Sequence, residues 1–566
     1  MHNILMILLL VLVTALSNVY VRFAPSYLPL PLPLVQIAVG GIGAVFGLHM
    51  ALNPDIFLLL FIPPLLFADA YRMPMREFHE LRGIILTLAI GLVVFATLGG
   101  GFFIHWLIPT LLFPACFALA AVLSPTDAVA VGSMIESGKA PRRIVHILQG
   151  ESLLNDASGL VCFKFATAAV FTGMFSLKTA IWQFLFIALG GIAIGIIMAY
   201  VASEIEKIII RYHKDNGPTS ITLAILMPFF IYLVAEHLGC SGILGAVAGG
   251  MTIKISGVMR EAESTTRLQA TTVWDMITFL FNGLIFVLLG LQLPKIVQNG
   301  IIVAKEVGMT SWQLVLVIAV VLFGMLFLRL IWVWLVIITK WLIYRIRRLK
   351  TVIPSLRGTL VITVGGVRGA VTLAAVLSLP VATDGIQGFP NRDLLIAIAT
   401  GVIILSIVFA SFLMPPLLKG LTNEEGSPLQ KEIDSTRATM VRTAVRVMQE
   451  EQAGITADGP PTDENDELRL EVVSSLLQEY LLFEKQLDDS PDAVASVKEK
   501  ALKRGRLRLA LRLSVVRALR NKLRSLHTAR YISDETESIV MEEIDYEEQE
   551  LRSRAKMLPR LTEMQK

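Results

Sequence analysis

Apolar stretches long enough to cross a bilayer recur along this 566-residue chain and constrain its fold more than any other feature. A helix of roughly 20 residues spans a ~30 Å hydrocarbon core, and only helices or closed barrels satisfy the backbone there. About thirteen such stretches can be read, near 3–21, 33–49, 55–71, 83–107, 111–136, 146–173, 179–202, 218–238, 240–256, 272–293, 312–339, 358–380 and 393–418. With 54% hydrophobic and 17% charged residues, the composition excludes an ordinary soluble domain. The first stretch has no basic n-region and no clear cleavage site, so it reads as a span and not as a removed signal. Cys116, Cys162 and Cys240 all lie in apolar stretches. They form no disulfide framework and have no metal-ligand spacing.

Lys and Arg fall on alternate connections. The odd ones hold Arg22; Arg72, Arg76 and Arg82; Lys139, Arg142 and Arg143; Lys207, Arg211 and Lys214; Lys254, Arg260 and Arg267; and Lys340, Arg345, Arg347, Arg348, Lys350 and Arg357. The even ones hold Lys178, Lys295, Lys305 and Arg392. The positive-inside rule then predicts an outside N-terminus, a cytoplasmic C-terminus and an odd number of spans. The expected location is a plasma membrane, a bacterial inner membrane in particular.

Hydropathy collapses after Leu418, which divides the chain into a membrane domain (1–420) and a charged helical tail (421–566). Ser427-Pro428 and Ser490-Pro491 carry the cap-then-proline signature of helix starts. They predict helices from there to about Gln452 and about Arg530, with a linker from Gly454 to Asn465, a helix over about 466–488 and a last one from Ser533. The third tail helix is basic, from Lys498 to Arg524, and the last is acidic, from Asp534 to Glu550. The basic helix reads either as an attachment to anionic lipid or as one arm of an antiparallel hairpin with its acidic neighbour. No Gly-rich nucleotide fingerprint follows a strand pattern, so no cofactor is expected, and no nucleic-acid partner either.

Three spans carry polar groups that lipid does not tolerate cheaply. In the fifth, Pro125 of Ser124-Pro125-Thr126-Asp127 should break the helix. A break at membrane depth frees carbonyls that transporters use to bind ions; alternatively, the proline is a plain kink with Asp127 as its cap. In the sixth, Ser152, Asn155 and Asp156 share one face, while Glu151 points well away from Asp156. Asp156 with Ser152 makes a hard-oxygen site suited to a small cation, and Glu151 reads as a partner for a cation on another helix. In the twelfth, the glycines of Gly365-Gly366-Val367-Arg368-Gly369 weaken the helix. Arg368 needs a carboxylate, and Glu151 is the expected one. The second interrupted segment comes seven spans after the first, as two inverted halves would require.

Ser124-Pro125-Thr126-Asp127-Ala128-Val129-Ala130, Glu151-Ser152-Leu153-Leu154-Asn155-Asp156 and Gly366-Val367-Arg368-Gly369-Ala370 resemble the monovalent cation/proton antiporters of the first subfamily, the sodium/proton exchanger type. The runs Ala235–Leu244 and Phe281–Gly290 add to the likeness, which covers about 1–420. The resemblance implies an all-α membrane protein with about thirteen transmembrane helices in two inverted repeats with discontinuous crossing helices. It also implies a homodimer and an elevator-like exchange of one cation for protons. Asp156 would be the shared carrier of Na⁺ and H⁺, with Asn155 beside it. Ser152 and the Thr126 backbone would complete the Na⁺ ligands, Asp127 would shape the site, and Glu151 and Arg368 would brace the core. Archaeal members also use an acid after a Pro-Pro-Leu-Leu-Phe-like run. Here Asp69 comes one position late and one methylene short, which leaves its role as a ligand open.

A carboxylate taken out of water must be neutralised, by a proton or by a cation. One such group predicts electroneutral 1:1 exchange serving pH and sodium homeostasis, unless Lys164 also titrates. Lys164 is expected to pair with Asp127 or to reach the outer interface. K⁺ or Li⁺ in place of Na⁺, a cation channel, and a membrane sensor signalling through the tail are the alternative readings. No enzymatic constellation is present.

Overall fold

A computed structural model describes residues 2–23, 31–48, 54–135, 140–172, 177–213, 217–346, 355–381, 388–419, 421, 428–456, 464–487, 495–529, 531 and 534–557. Lys139, Lys214, Arg347, Arg348, Lys350, Ser427, Ser490, Pro491 and Ser533 lie outside them. The described residues form helices and no strands. The chain divides into two compact units, Met1–Thr422 and Asn423–Lys566.

Every apolar stretch of the first unit lies in a helix or an interrupted pair of helices. In order these are His2–Phe23, Leu32–Val45, Pro54–Arg72, Met75–Leu107, the pair Phe113–Leu123 and Ala128–Met134, and Arg142–Thr172. Then come Leu177–His213, Gly217–His237, Gly242–Ser256, Ser264–Glu306, Ser311–Ile346, the pair Leu356–Val364 and Ala370–Leu377, and Arg392–Leu418. By length and composition, seven helices of the described residues can each cross a bilayer, and the bent pair 113–134 makes an eighth. Leu8–Val21 (within His2–Phe23), Leu32–Val45 and Gly242–Ser256 are shorter apolar segments, and the pair Leu356–Val364 and Ala370–Leu377 is interrupted.

Two helix groups pack within this unit. Spans one to three and seven to ten form one; spans four to six and eleven to thirteen form the other. The long helix Ser264–Glu306 touches both. Glycine lets backbones meet where helices cross, as is common in membranes. A Cβ on Gly40 would stand 2.1 Å from the Val287 carbonyl oxygen, and one on Gly290 would stand 2.1 Å from that of Ile37. Span four contains a π-helical turn, Thr87–Leu92. Such a turn displaces carbonyls from the regular ladder. Here the Ser158 hydroxyl donates to Ala89 O (2.5 Å) and the Trp332 indole to Thr87 O (3.1 Å).

The second unit holds helices Pro428–Thr456, Glu464–Leu487, Ala495–Thr528 and Asp534–Met557. The first runs past Gly454, beyond the expected linker start. The basic and acidic helices pack together through Val516, Leu523, Ile544 and Leu551. Arg520 bonds Asp545 at 2.5 Å and also reaches Glu548.

Candidate ion-binding site

The interruptions in spans five and twelve meet. The fifth bends by 46° between Phe113–Leu123 and Ala128–Met134. Pro125 lacks a backbone donor, so the ladder ends there and restarts at a new cap. Asp127 is that cap: its Oδ1 accepts from Val129 N (2.8 Å) and Ala130 N (3.1 Å). Its own N–H donates to Val367 O at 2.7 Å, across to the twelfth span. The Asp127 carboxylate also lies against Gly369, where a Cβ would fall 1.8 Å from Oδ2. Asp127 thus sits at the N-terminal ends of both second half-helices, where backbone dipoles favour negative charge.

Arg368 does the converse. Its Nε donates to Leu123 O (3.0 Å) and its Nη1 to Gly366 O, the carbonyl ends of both first half-helices. Its backbone N–H donates to Ser406 Oγ at 3.1 Å. The expected Glu151–Arg368 pair does not form. Glu151, fully buried, is held by both terminal guanidinium nitrogens of Arg329, with Nη2 to Oε2 at 2.7 Å and Nη1 to Oε1. Arg329 Nε donates to Ile362 O at 3.0 Å. The reason is physical: broken helices leave carbonyls without donors, and the nearest guanidinium is consumed by them. Arg329 escaped the sequence reading. The signal was available, a lone arginine inside the highly apolar run 314–338.

Around Thr126 the oxygens converge. Ser152 Oγ donates to Thr126 O (2.8 Å) and accepts from Ala128 N (3.1 Å). Asn155 Nδ2 donates to Thr126 Oγ1 at 2.8 Å. The single Ser152 proton is therefore committed, and the free valences of Ser152 Oγ and Thr126 O are lone pairs. Asn155 Oδ1 is buried with no hydrogen-bond partner among the described residues. The arrangement offers acceptors, which suit a cation and repel an anion.

Beside these oxygens lies a cavity of about 350 Å³. Thr126, Asp127, Ser152 and Asp156 line it, and so do Asp69, Asn282 and Thr372. Asn155 stands behind the wall and positions Thr126. The Asp156 side chain makes no hydrogen bond or ion pair among the described residues, although Asp156 is only 6% exposed. Asp69 faces the same cavity despite its shifted position in sequence. Lys164 is elsewhere: it stands 3.6 Å from Glu236 of the eighth span and is half exposed, not paired with Asp127. Among the described residues no three His, Cys, Asp or Glu side chains converge as a metal cage. A cation at Asp156 would depend on the neutral oxygens.

Crossed, interrupted helices around an unpaired carboxylate define an ion-coupled membrane transporter. The transmembrane sodium/hydrogen exchanger model matches residues 7–420, and the chain belongs to that family of cation/proton antiporters. It is 39% identical over 545 residues, 95% of this chain and 97% of the relative, to an uncharacterized Na(+)/H(+) exchanger YjcE of Escherichia coli. It is 40% identical over 453 residues to a sodium, potassium, lithium and rubidium/H(+) antiporter of Bacillus pumilus, covering 80% of this chain and 66% of that protein. The sodium proton antiporter MjNhaP1 of Methanocaldococcus jannaschii shares the fold, with a TM-score of 0.56 at 18% identity over 75% of this chain and all of the other.

Proposed function

We propose that the protein exchanges Na⁺ for H⁺ at Asp156, one for one, and that other alkali cations also serve. The unpaired Asp156 carboxylate beside the acceptors of Ser152 and Thr126 carries this reading. A buried carboxylate is neutralised by a proton or by a cation, not by both. If the site crosses only when occupied, one ion is traded for the other. Asn155 does not titrate, and the charges of Asp127 and Arg368 are tied to helix ends. The name of the Bacillus pumilus relative supports the wider cation range.

Arg72, Gly132 and Gln149, which lie close in sequence to connections rich in Lys and Arg, are among the residues that line the cavity. By the charge rule those connections are cytoplasmic, which supports reading this as an inward-facing state. The helix groups, one bearing the broken spans, supply the moving and fixed parts that an elevator needs. A homodimer in the plasma membrane, with the N-terminus outside and the tail in the cytoplasm, completes the proposal. Its role would be pH and sodium homeostasis.

Proteoliposomes loaded with a pH dye test it. Na⁺, Li⁺ and K⁺ added in turn should each move protons in the opposite direction, and Asp156→Asn should abolish this in folded protein. Exchange by Asp156→Asn at the unsubstituted rate would overturn the assignment.

A further inference from the structure

The basic tail helix has two apolar faces, and its hairpin uses only one. Val516 and Leu523, with Leu509 and Leu513, pack on the acidic helix. Leu507, Leu511, Val515 and Leu519 are 63%, 58%, 54% and 46% exposed. At 100° per residue these four lie on an arc of about 120°, centred about 120° from Val516 and beside the packed face. Arg508 and Lys522 fall within the arc and Arg512 at its edge, all exposed. No carboxylate occurs between Lys500 and Ala529.

We propose that this face docks on anionic membrane lipid. Leucines interleaved with arginines and lysines are what an interfacial helix presents: the apolar side chains enter the acyl boundary, and the cations meet the headgroups. Charge selects this occupant. A second exposed stripe, Leu468, Val472, Leu476 and Tyr480, lies on a helix whose exposed neighbours include Asp466, Glu467 and Glu471, which an anionic surface repels. The acidic hairpin arm does not silence the basic face, because Asp545 and Glu548 are engaged by Arg520 on the packed side. The inference rests on the cytoplasmic placement of the tail, where the leaflet is anionic.

The test uses the full chain, one homodimer per nanodisc, with Cys116, Cys162 and Cys240 replaced by alanine. An environment-sensitive dye is attached through Ala518→Cys, within the face, or through Tyr546→Cys on the acidic helix. Discs of phosphatidylcholine alone are compared with discs containing phosphatidylglycerol. The Ala518 label should shift to the blue only with phosphatidylglycerol, and high salt should reverse the shift. Combining Arg508→Gln, Arg512→Gln and Lys522→Gln should abolish it, while amide exchange at Val516 and Leu523 stays slow and shows the hairpin intact. The Tyr546 label should not respond. An unshifted Ala518 label, an equal shift in phosphatidylcholine, or a shift that survives the triple glutamine substitution would each overturn the proposal. Both disc faces carry the same lipid, so an error in orientation leaves this result unaffected; proteolysis of sealed vesicles reads orientation separately.

Discussion

Arg329 holds Glu151 through both ends of its guanidinium, joining the eleventh span to the helix that carries Asp156. Both side chains are all but inaccessible to solvent. Removing one partner of such a pair strands the other charge at a cost of about 3–5 kcal/mol, whereas replacing both with apolar groups costs far less. Glu151→Gln and Arg329→Met should therefore each lower the melting temperature in detergent sharply. The double variant Glu151→Leu/Arg329→Leu should recover much of the loss, short of the one bond to Ile362 O. Equal destabilisation by the double and single variants would contradict the pairing.

Gly369 leaves no room for a side chain beside Asp127. Gly369→Ala must displace the Asp127 carboxylate or the start of Ala370–Leu377. Misplacing a binding group by about 1 Å costs on the order of 10²-fold in rate. Exchange should fall by that order in Gly369→Ala, with Gly83→Ala, whose Cβ meets nothing within 4 Å, as the silent control. Transport assays at matched expression decide it.

Lys164 lies two turns from Asp156, about 12 Å along the helix axis, and faces Glu236. A pair this exposed contributes about 0–1 kcal/mol. Lys164→Gln should leave the cation-to-proton ratio unchanged, read as the sodium gradient that balances a fixed pH gradient. A shifted balance point would make Lys164 part of the charge cycle.

In the tail, Arg520 and Arg552 beside Glu548 hold its carboxyl below its ordinary range. A depressed carboxyl pKa contributes stability that is present above the unfolded value and is lost as pH falls through the folded one. The contribution of Glu548 to the hairpin should therefore be fully present at neutral pH and be lost only as the pH falls through the acid range. Glu548→Gln should loosen the hairpin at neutral pH as well. Faster amide exchange around Val516 and Ile544 measures both.

What could be read without coordinates follows from what periodicity encodes. Apolar runs carry the span positions, and Pro125 and Gly365-Gly366 mark the two breaks, because backbone chemistry is local. Helical phase places Ser152 and Asp156 on one face, and both line the cavity. Phase gives a direction and not a distance, however. It turned Glu151 away from Asp156 but did not rank Arg329 against Arg368 as the partner. Ranking them requires the orphan carbonyls at Leu123 and Gly366, which exist only once the half-helices cross. Asp69 shows the same gap. A shift of one position turns a side chain by about 100°, yet the cavity is wide enough to receive it.

The opposed posts of Asp127 and Arg368 have an electrical consequence. One negative and one positive charge are fixed at the crossing, and their sum is zero. If Asp156 carries the exchanged ions as proposed, its loaded state, with a proton or with a monovalent cation, adds nothing to that sum. Transmembrane voltage does work only on net charge that moves. The occupied site should therefore cross at the same rate in an energised cell and in a depolarised one, driven by concentration differences alone.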